Sequence, residues 1–339
     1  MHPKTKSLIS SGSWADTLRL IPGYDPFATS GDCEFDIAEA DRCFMFFERL
    51  LCHAKGEKAK TAFLLEPWQK AILANLFGWK RPNGTRRYRE CLIYLPRKNG
   101  KTLLASGVAN YMLFGDGEKG SEIYCAASDR EQASLLFDVA RQQVLNEPTL
   151  ATRCEVFQKS IVVKKSNSSF KTVSADASSA HGYNGHCIII DELHAQPNRE
   201  LVDVLMTSTG ARTQPLVIHL TTADYMHPSI CNEKYEYASK VRDGIMQDPS
   251  FLPVIYEASA TDDWTSPETW RKANPNLGIS ISEEYLAREC QRAKETPTYE
   301  NTFKRLHLNL RTEQNVQWLP MDRWDACGGV PVDADALAG

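Results

Sequence analysis

The 339-residue sequence predicts an α/β fold, a mostly parallel central sheet flanked by helices, with a small helical subdomain following it. Three observations point there. Residues 91–102, Cys-Leu-Ile-Tyr-Leu-Pro-Arg-Lys-Asn-Gly-Lys-Thr, read as an apolar strand, a turn and the start of a helix, which is the context of a phosphate-binding loop. Residues 187–192, Cys-Ile-Ile-Ile-Asp-Glu, are a second apolar strand, and it ends in two acids. Between the two, strand-like residues 122–127 and a helical pattern behind Ser128 give the strand-helix rhythm of a parallel sheet.

Bulk properties narrow the classes. A chain 42% hydrophobic can bury one large core with an appended subdomain. No apolar run approaches a membrane span and residues 1–7 lack the apolar stretch of a signal peptide, so no membrane role and a cytoplasmic location are expected. The ten cysteines are scattered without Cys-x-x-Cys pairs, which favours reduced thiols over disulfides or zinc. A net charge of −4 argues against coating nucleic acid with the whole surface, but leaves room for a local track. The densest basic run, residues 80–89, reads either as a solvated hairpin or as a contact with DNA or a partner.

Taken in order, residues 1–30 show little periodicity and are expected to form an arm. Asp36 and Glu39 form a capping pair for a helix with Ile37, Ala40, Phe44, Phe47 and Leu51 on one face. Pro67 opens a second helix that Gly78 closes. On it, Gln69 is either an exposed polar residue or an amide presented to an adenine edge. In the loop, Lys101 is expected to neutralise the β- and γ-phosphates and Thr102 to ligate magnesium, while the amides of Pro96-Arg97-Lys98-Asn99-Gly100 surround the phosphate oxygens as far as each has an N–H. The pattern's first Gly is replaced by Leu95.

A helix after Ser128 and Glu131 carries Ala133, Leu136, Phe137, Ala140 and Val144 on its apolar face, and residues 160–165 and 169–175 suggest an inserted hairpin. In the acidic strand, Asp191 is expected to hold magnesium and Glu192 to orient or deprotonate the attacking water. His181, His186 and His194 lack metal-ligand spacing. A helix over 198–209 and a strand over 215–220 follow, the strand running into Thr221-Thr222-Ala223, where Thr222 can sense the γ-phosphate. One further strand is expected over 251–258. Helices over 282–295, opened by a Ser280/Glu283 pair, and 299–310 form the helical subdomain.

Together these residues resemble the large terminase subunit of tailed bacteriophages. The matching landmarks are Leu65-Glu66-Pro67-Trp68-Gln69, Pro96 to Thr102, His181-Gly182-Tyr183-Asn184, Ile190-Asp191-Glu192-Leu193-His194-Ala195, and Gly210-Ala211-Arg212-Thr213-Gln214-Pro215 leading to Thr221-Thr222-Ala223. In that family the loop commonly lacks its first Gly. The resemblance implies an additional-strand P-loop NTPase core and an ATP- and Mg2+-dependent motor that moves double-stranded viral DNA into a procapsid. It also implies a portal, a terminase small subunit, a homo-oligomeric ring on the portal with a monomer in isolation, and the host cytoplasm. The expected division is an arm and helix over 1–59, the ATPase core over 60–260, a helical lid over 261–315, and over 316–339 a linker towards an absent nuclease domain, because nothing after Trp318 has the form of the nuclease's first strand. For the charge that develops on the γ-phosphate there are two candidates: Arg97, reaching its own nucleotide, and Arg212, projecting to a neighbouring subunit. Related motors place that Arg where this chain has His181. A superfamily 2 helicase or remodelling ATPase is the alternative, although a second helicase lobe is missing; a scaffold that binds ATP without turnover would not need Glu192.

Overall fold

The computed structural model describes residue 2 and residues 13–128, 130–174 and 182–313. Its centre is an eight-stranded sheet. Its strands in chain order are β3 (Glu90–Tyr94), β4 (Glu122–Ala127), β5 (Glu155–Val156), β6 (Ser160–Val163), β7 (Ser168–Ser174), β8 (Cys187–Ile190), β9 (Leu216–Thr221) and β10 (Phe251–Ile255). A two-stranded antiparallel pair, β1 (Glu34–Phe35) and β2 (Trp79–Lys80), lies apart from it. The spatial order is β10-β3-β9-β8-β4-β7-β6-β5. From β10 to β7 every pair is parallel, and only β6 and β5 run antiparallel. One strand, β9, therefore stands between the loop strand β3 and the acidic strand β8.

Both faces of the sheet are covered, which is why its strands read as continuous apolar runs. Cys91, Ile93, Cys125, Ile189 and Ile218 point into the larger core, built with α1 (Ser13–Leu18), α2 (Ile37–Leu50), α3 (Pro67–Gly78), α4 (Lys101–Phe114) and α5 (Arg130–Asn146). The alternate residues Tyr124, Ala126, Ile188, Ile190 and Val217 meet Leu201, Val202 and Leu205 of α7 (Glu200–Thr207) on the other face. There too, Leu92 and Tyr94 meet Ala238 and Val241 of α8 (Ile230–Arg242). A short α6 (Pro148–Ala151) follows α5. Three helices, α9 (Pro267–Ala273), α10 (Glu283–Glu295) and α11 (Pro297–Leu308), close round their own core of Trp270, Leu286, Cys290, Phe303 and Leu308.

Local chemistry explains most boundaries. Asp36 accepts from Ala38 N at 2.9 Å and Glu39 N at 3.3 Å, so the expected cap opens α2. Its buried face is Ala40, Cys43, Phe46 and Phe47, which leaves Ile37 exposed. The apolar face expected behind Ser128 is the buried face of α5.

Four expectations are corrected. The segment expected as an arm enters the main core, with Ala15, Leu18, Ile21, Tyr24 and Phe27 buried. Sparse apolar residues hid this, because a short helix and turns carry no long period. The suggested hairpin is not an insertion: β7 is a member of the parallel sheet beside β4, and β6 pairs back onto it. The cap of α10 is Ser282, which accepts from Tyr285 N at 3.1 Å, rather than Ser280. The basic run 80–89 is neither a solvated hairpin nor an open track at its centre, because Arg86 and Arg87 are buried and bonded inside the fold.

Candidate functional site

Parallel pairing brings the chemistry to one edge. Tyr94 is opposite Thr221 and Ile190 opposite His219, so the loop after β3, the Thr221-Thr222 step and the Asp191-Glu192 pair all leave the sheet at its carboxyl end. Leu95 N donates to Thr221 O at 3.1 Å and continues the ladder for one residue. The loop then turns through two left-handed residues, Lys98 at φ 69° and Gly100 at φ 83°, and delivers Lys101 as the first residue of α4. Glycine suits the second of these because a side chain there is strained.

A cleft of about 470 Å³ lies over this edge, lined by Arg97, Lys98, Gly100, Lys101, Thr102, Leu103 and Glu192, with His53, Ala54, Lys55 and Val139 on its far wall. Arg97 and Lys98 are exposed. Lys101 is buried, and its Nζ donates to Leu95 O at 2.6 Å and to Pro96 O at 3.3 Å. Burial lowers its pKa to about 8, against the pull of Glu192 and Asp191 in the other direction. Asp191 is pushed up to about 6 by burial first and by the adjacent Glu192 second, while Lys101 opposes both. Its Oδ1 accepts from Glu192 N at 3.0 Å, and Glu192 takes a left-handed turn at φ 48°. A hydroxyl at Thr102 and a carboxylate at Asp191 are hard oxygen donors, and two adjacent acids, one of them raised by burial, are relieved by a divalent cation; the set fits magnesium.

Other expected site residues sit differently. Gln69 is buried, its Oε1 accepts from Glu66 N at 2.9 Å, and it stands outside the cleft lining. Asn99 is also buried and faces the helical subdomain: its Nδ2 donates to Asn274 Oδ1 at 2.8 Å and its Oδ1 accepts from Asn276 N at 3.2 Å. Ser280 Oγ donates to Lys98 O at 2.6 Å and Arg97 N to Leu306 O at 2.9 Å, so four bonds tie the loop to that subdomain. Thr222 is buried with its Oγ1 3.5 Å from His194 Nδ1. His181 lies outside the described residues.

The outward projection expected of Arg212 is corrected. Its Nη2 donates to Gly120 O at 2.7 Å and Asn184 O at 2.9 Å, its Nε to Asn184 O at 3.1 Å, and Nη1 lies 3.4 Å from Glu118. It closes turns at the amino end of the sheet, opposite the cleft. Sequence reasoning missed the cleft wall at His53 to Lys55 and the junction at His194. For the wall the only signal was the cluster of Lys55, Lys58 and Lys60; for His194 it was adjacency to Glu192. Among the described residues no group of three or more His, Cys, Asp or Glu could hold a metal ion.

Comparison with known proteins agrees with this fold. The family model for the terminase large subunit ATPase domain matches residues 67–240, and that for the terminase large subunit endonuclease domain matches residues 245–339. The second match overturns the expectation that the nuclease region is absent. Its described part includes β10 and the three closing helices; residues 314–339 lie outside the described set. The chain is 28% identical over 302 residues to the large terminase subunit of Enterobacteria phage HK97, covering 88% of this chain and 58% of that protein. It is 34% identical over 146 residues to protein YmfN of Escherichia coli K12, covering 43% of this chain and 32% of that protein. A crystal structure of the HK97 bacteriophage large terminase superposes with a TM-score of 0.72 at 28% identity, covering 86% of this chain and 59% of the other. The chain thus spans less than two thirds of the length of each relative.

Proposed function

We infer, from a chain that belongs to the terminase large subunit family, that it binds and hydrolyses ATP in the cleft over the carboxyl end of its sheet and uses the energy to translocate double-stranded viral DNA into a procapsid. The observation that carries the reading is that Lys101 and Thr102 of the phosphate loop line one cleft with Glu192 of the acidic strand. No single motif would suffice.

In this reading the triphosphate takes Lys101 away from the carbonyls of Leu95 and Pro96, and its charge restores the lysine's pKa. The ammonium then neutralises the β- and γ-phosphates, with the amides of Arg97 to Lys101 round the oxygens and the exposed Arg97 side chain within the same cleft. Thr102 and Asp191 would hold magnesium, which would screen the charge of the phosphates. Glu192 orients the attacking water and accepts its proton as the new oxygen–phosphorus bond forms and ADP leaves.

Double-stranded DNA, the portal of a procapsid, a terminase small subunit and a ring of identical chains are the partners this reading requires. The endonuclease-domain match adds DNA cleavage to it. Glu192→Gln tests the central claim. It keeps the shape and loses the base, so ATP should bind as before while hydrolysis falls by about 10²–10⁴-fold. Loss of binding together with hydrolysis would make Glu192 a structural acid.

A further inference from the structure

The ring of His194 stands where the acidic strand and β9 come together. Its Nδ1 lies 3.2 Å from Thr221 Oγ1, 3.5 Å from Thr222 Oγ1 and 3.2 Å from Glu192 Oε2. Counting hydrogens decides what this nitrogen does. Thr221 Oγ1 donates its one hydrogen to Thr222 O at 2.8 Å and already accepts the backbone N–H of His194 at 3.2 Å. Its remaining lone pair is shared between the ring and Cys231 Sγ at 3.5 Å, while the carboxylate oxygen of Glu192 beside the ring can only accept, so Nδ1 carries the proton. Burial pushes the His194 pKa down, against the pull of Glu192, and favours a neutral ring with one N–H. That single N–H faces three oxygens.

The three are not equally served. Glu192 Oε2 is buried and, despite its short separation from Nδ1, makes no hydrogen bond with any described group. Leaving such an oxygen unpaired is costly, more so for a charged group, so the arrangement is poised to change. A small ring rotation would move the proton donor from the threonines to the acid. The backbone bond from His194 N to Thr221 keeps the residue tethered to β9 while this happens. The backbone of Glu192 is left-handed, a conformation non-glycine residues seldom keep unless the surroundings impose it.

We propose that His194 is a positioning residue for Glu192, its Nδ1–H moving between the Thr221 and Thr222 hydroxyls and the Glu192 carboxylate, so that the end of β9 sets whether the acid is held in place to take a proton from water. When the threonines keep the N–H, the carboxylate is not held. When β9 withdraws them, the N–H closes on the buried Oε2 and leaves Oε1 to the attacking water. This rests on the ATP-hydrolysing reading of the cleft and adds a control element to it.

The test compares His194→Ala, His194→Asn and His194→Gln in steady-state ATP hydrolysis by the full chain, with unfolding midpoints measured alongside. Removing a group that orients a reacting side chain should lower kcat by about 10–100-fold with little change in KM for ATP. Asn sets an amide N–H near the place of Nδ1 and should recover most of the rate, whereas Gln reaches the place of Nε2 and should not. Adding Thr222→Ala to His194→Ala should cause little further loss, since both act through one contact. Wild-type kcat in His194→Ala, or equal rates for the Asn and Gln variants, would overturn the proposal. The wild type and Glu192→Gln separate the two levels: no hydrolysis by the wild type sinks the ATPase reading, hydrolysis left intact in Glu192→Gln sinks Glu192 as the base and the proposal with it, and hydrolysis abolished in Glu192→Gln but not in His194→Ala sinks only the role of His194.

Discussion

The two ends of the parallel sheet hold the same kinds of side chain and use them in opposite ways. At the amino end three largely buried charges are closed on partners. Arg86 is paired with Asp116, whose second oxygen lies 2.7 Å from His186 Nε2. Arg87 donates to Pro249 O, Pro26 O and Thr29 Oγ1 at 2.9, 2.8 and 2.7 Å and lies over the rings of Trp79 and Tyr88. Glu90 meets His219 at 2.9 Å and Lys234 at 2.6 Å. In the cleft at the carboxyl end the charges are left open: Arg97 and Lys98 are exposed, and among the described residues Glu192 Oε2 has no hydrogen bond and Lys101 has only backbone carbonyls. Closed sets fix the chain in space, and open sets are completed by a ligand.

The sharpest way to break this contrast is to remove one cation from each end. Lys101→Ala should abolish ATP hydrolysis, read as phosphate release, and leave the urea midpoint near that of the wild type, because the lysine holds only two carbonyls of its own loop. Wild-type turnover would mean the cleft is misassigned. Arg86→Met should do the reverse. It strands the Asp116 carboxylate in the interior, so stability should fall by about 3–5 kcal/mol while KM for ATP is kept. Adding Asp116→Asn should return part of that loss, since the stranded charge is gone.

Arg212 sharpens the comparison because its sequence context suggested the open end and its bonds belong to the closed one. Arg212→Ala should lower stability by about 1–3 kcal/mol through the unpaired carbonyls of Gly120 and Asn184. Hydrolysis by the isolated chain should be unchanged. In assembled rings, mixing Arg212→Ala with Glu192→Gln chains should give no recovery of activity; recovery would return Arg212 to a role across subunits.

How much of this was legible in the sequence follows from the range of each signal. The sheet was readable because strands buried on both faces are apolar throughout, and the loop and acids were readable because their spacing is local. Pro67–Gly78 and Glu122–Ala127 have the bounds the pattern predicts. What could not be read depends on distant partners. Arg86 bonds Gln214 O and Arg87 bonds Pro249 O, contacts 128 and 162 residues away along the chain, so a run that looks like a charged surface is interior. The Asn99 side chain bonds Asn274, 175 positions on, a contact no local pattern shows. Gln69 is the opposite case: its bond to Glu66, three residues back, is within reach of the capping rule, and its burial excludes only the exposed alternative.

The smallest expected effect sets an acid from each end against the other, in protein kept free of nucleotide and divalent metal. Burial would raise the pKa of Glu90, but His219 and Lys234 outweigh it and bring it to about 2, below its ordinary 4.5. Between those values the unfolded chain binds more protons at this position than the folded one, so its contribution is whole above pH 4.5 and is lost as pH falls towards 2. Asp191 is raised from 3.8 to about 6, so between those values the folded chain binds the extra proton, and this position gains stability as pH falls through 6 and loses it as pH rises. The two slopes therefore have opposite signs and nearly separate windows. Glu90→Gln should flatten the fall of the urea midpoint below pH 4.5 and leave pH 5–7 unchanged. Asp191→Asn should raise the midpoint at pH 7 and remove the change between pH 4 and 6, because an uncompensated buried charge has been replaced by a neutral amide. A loss of stability in Asp191→Asn at pH 7 would place Asp191 among the closed pairs of the fold and remove the distinction between the two ends.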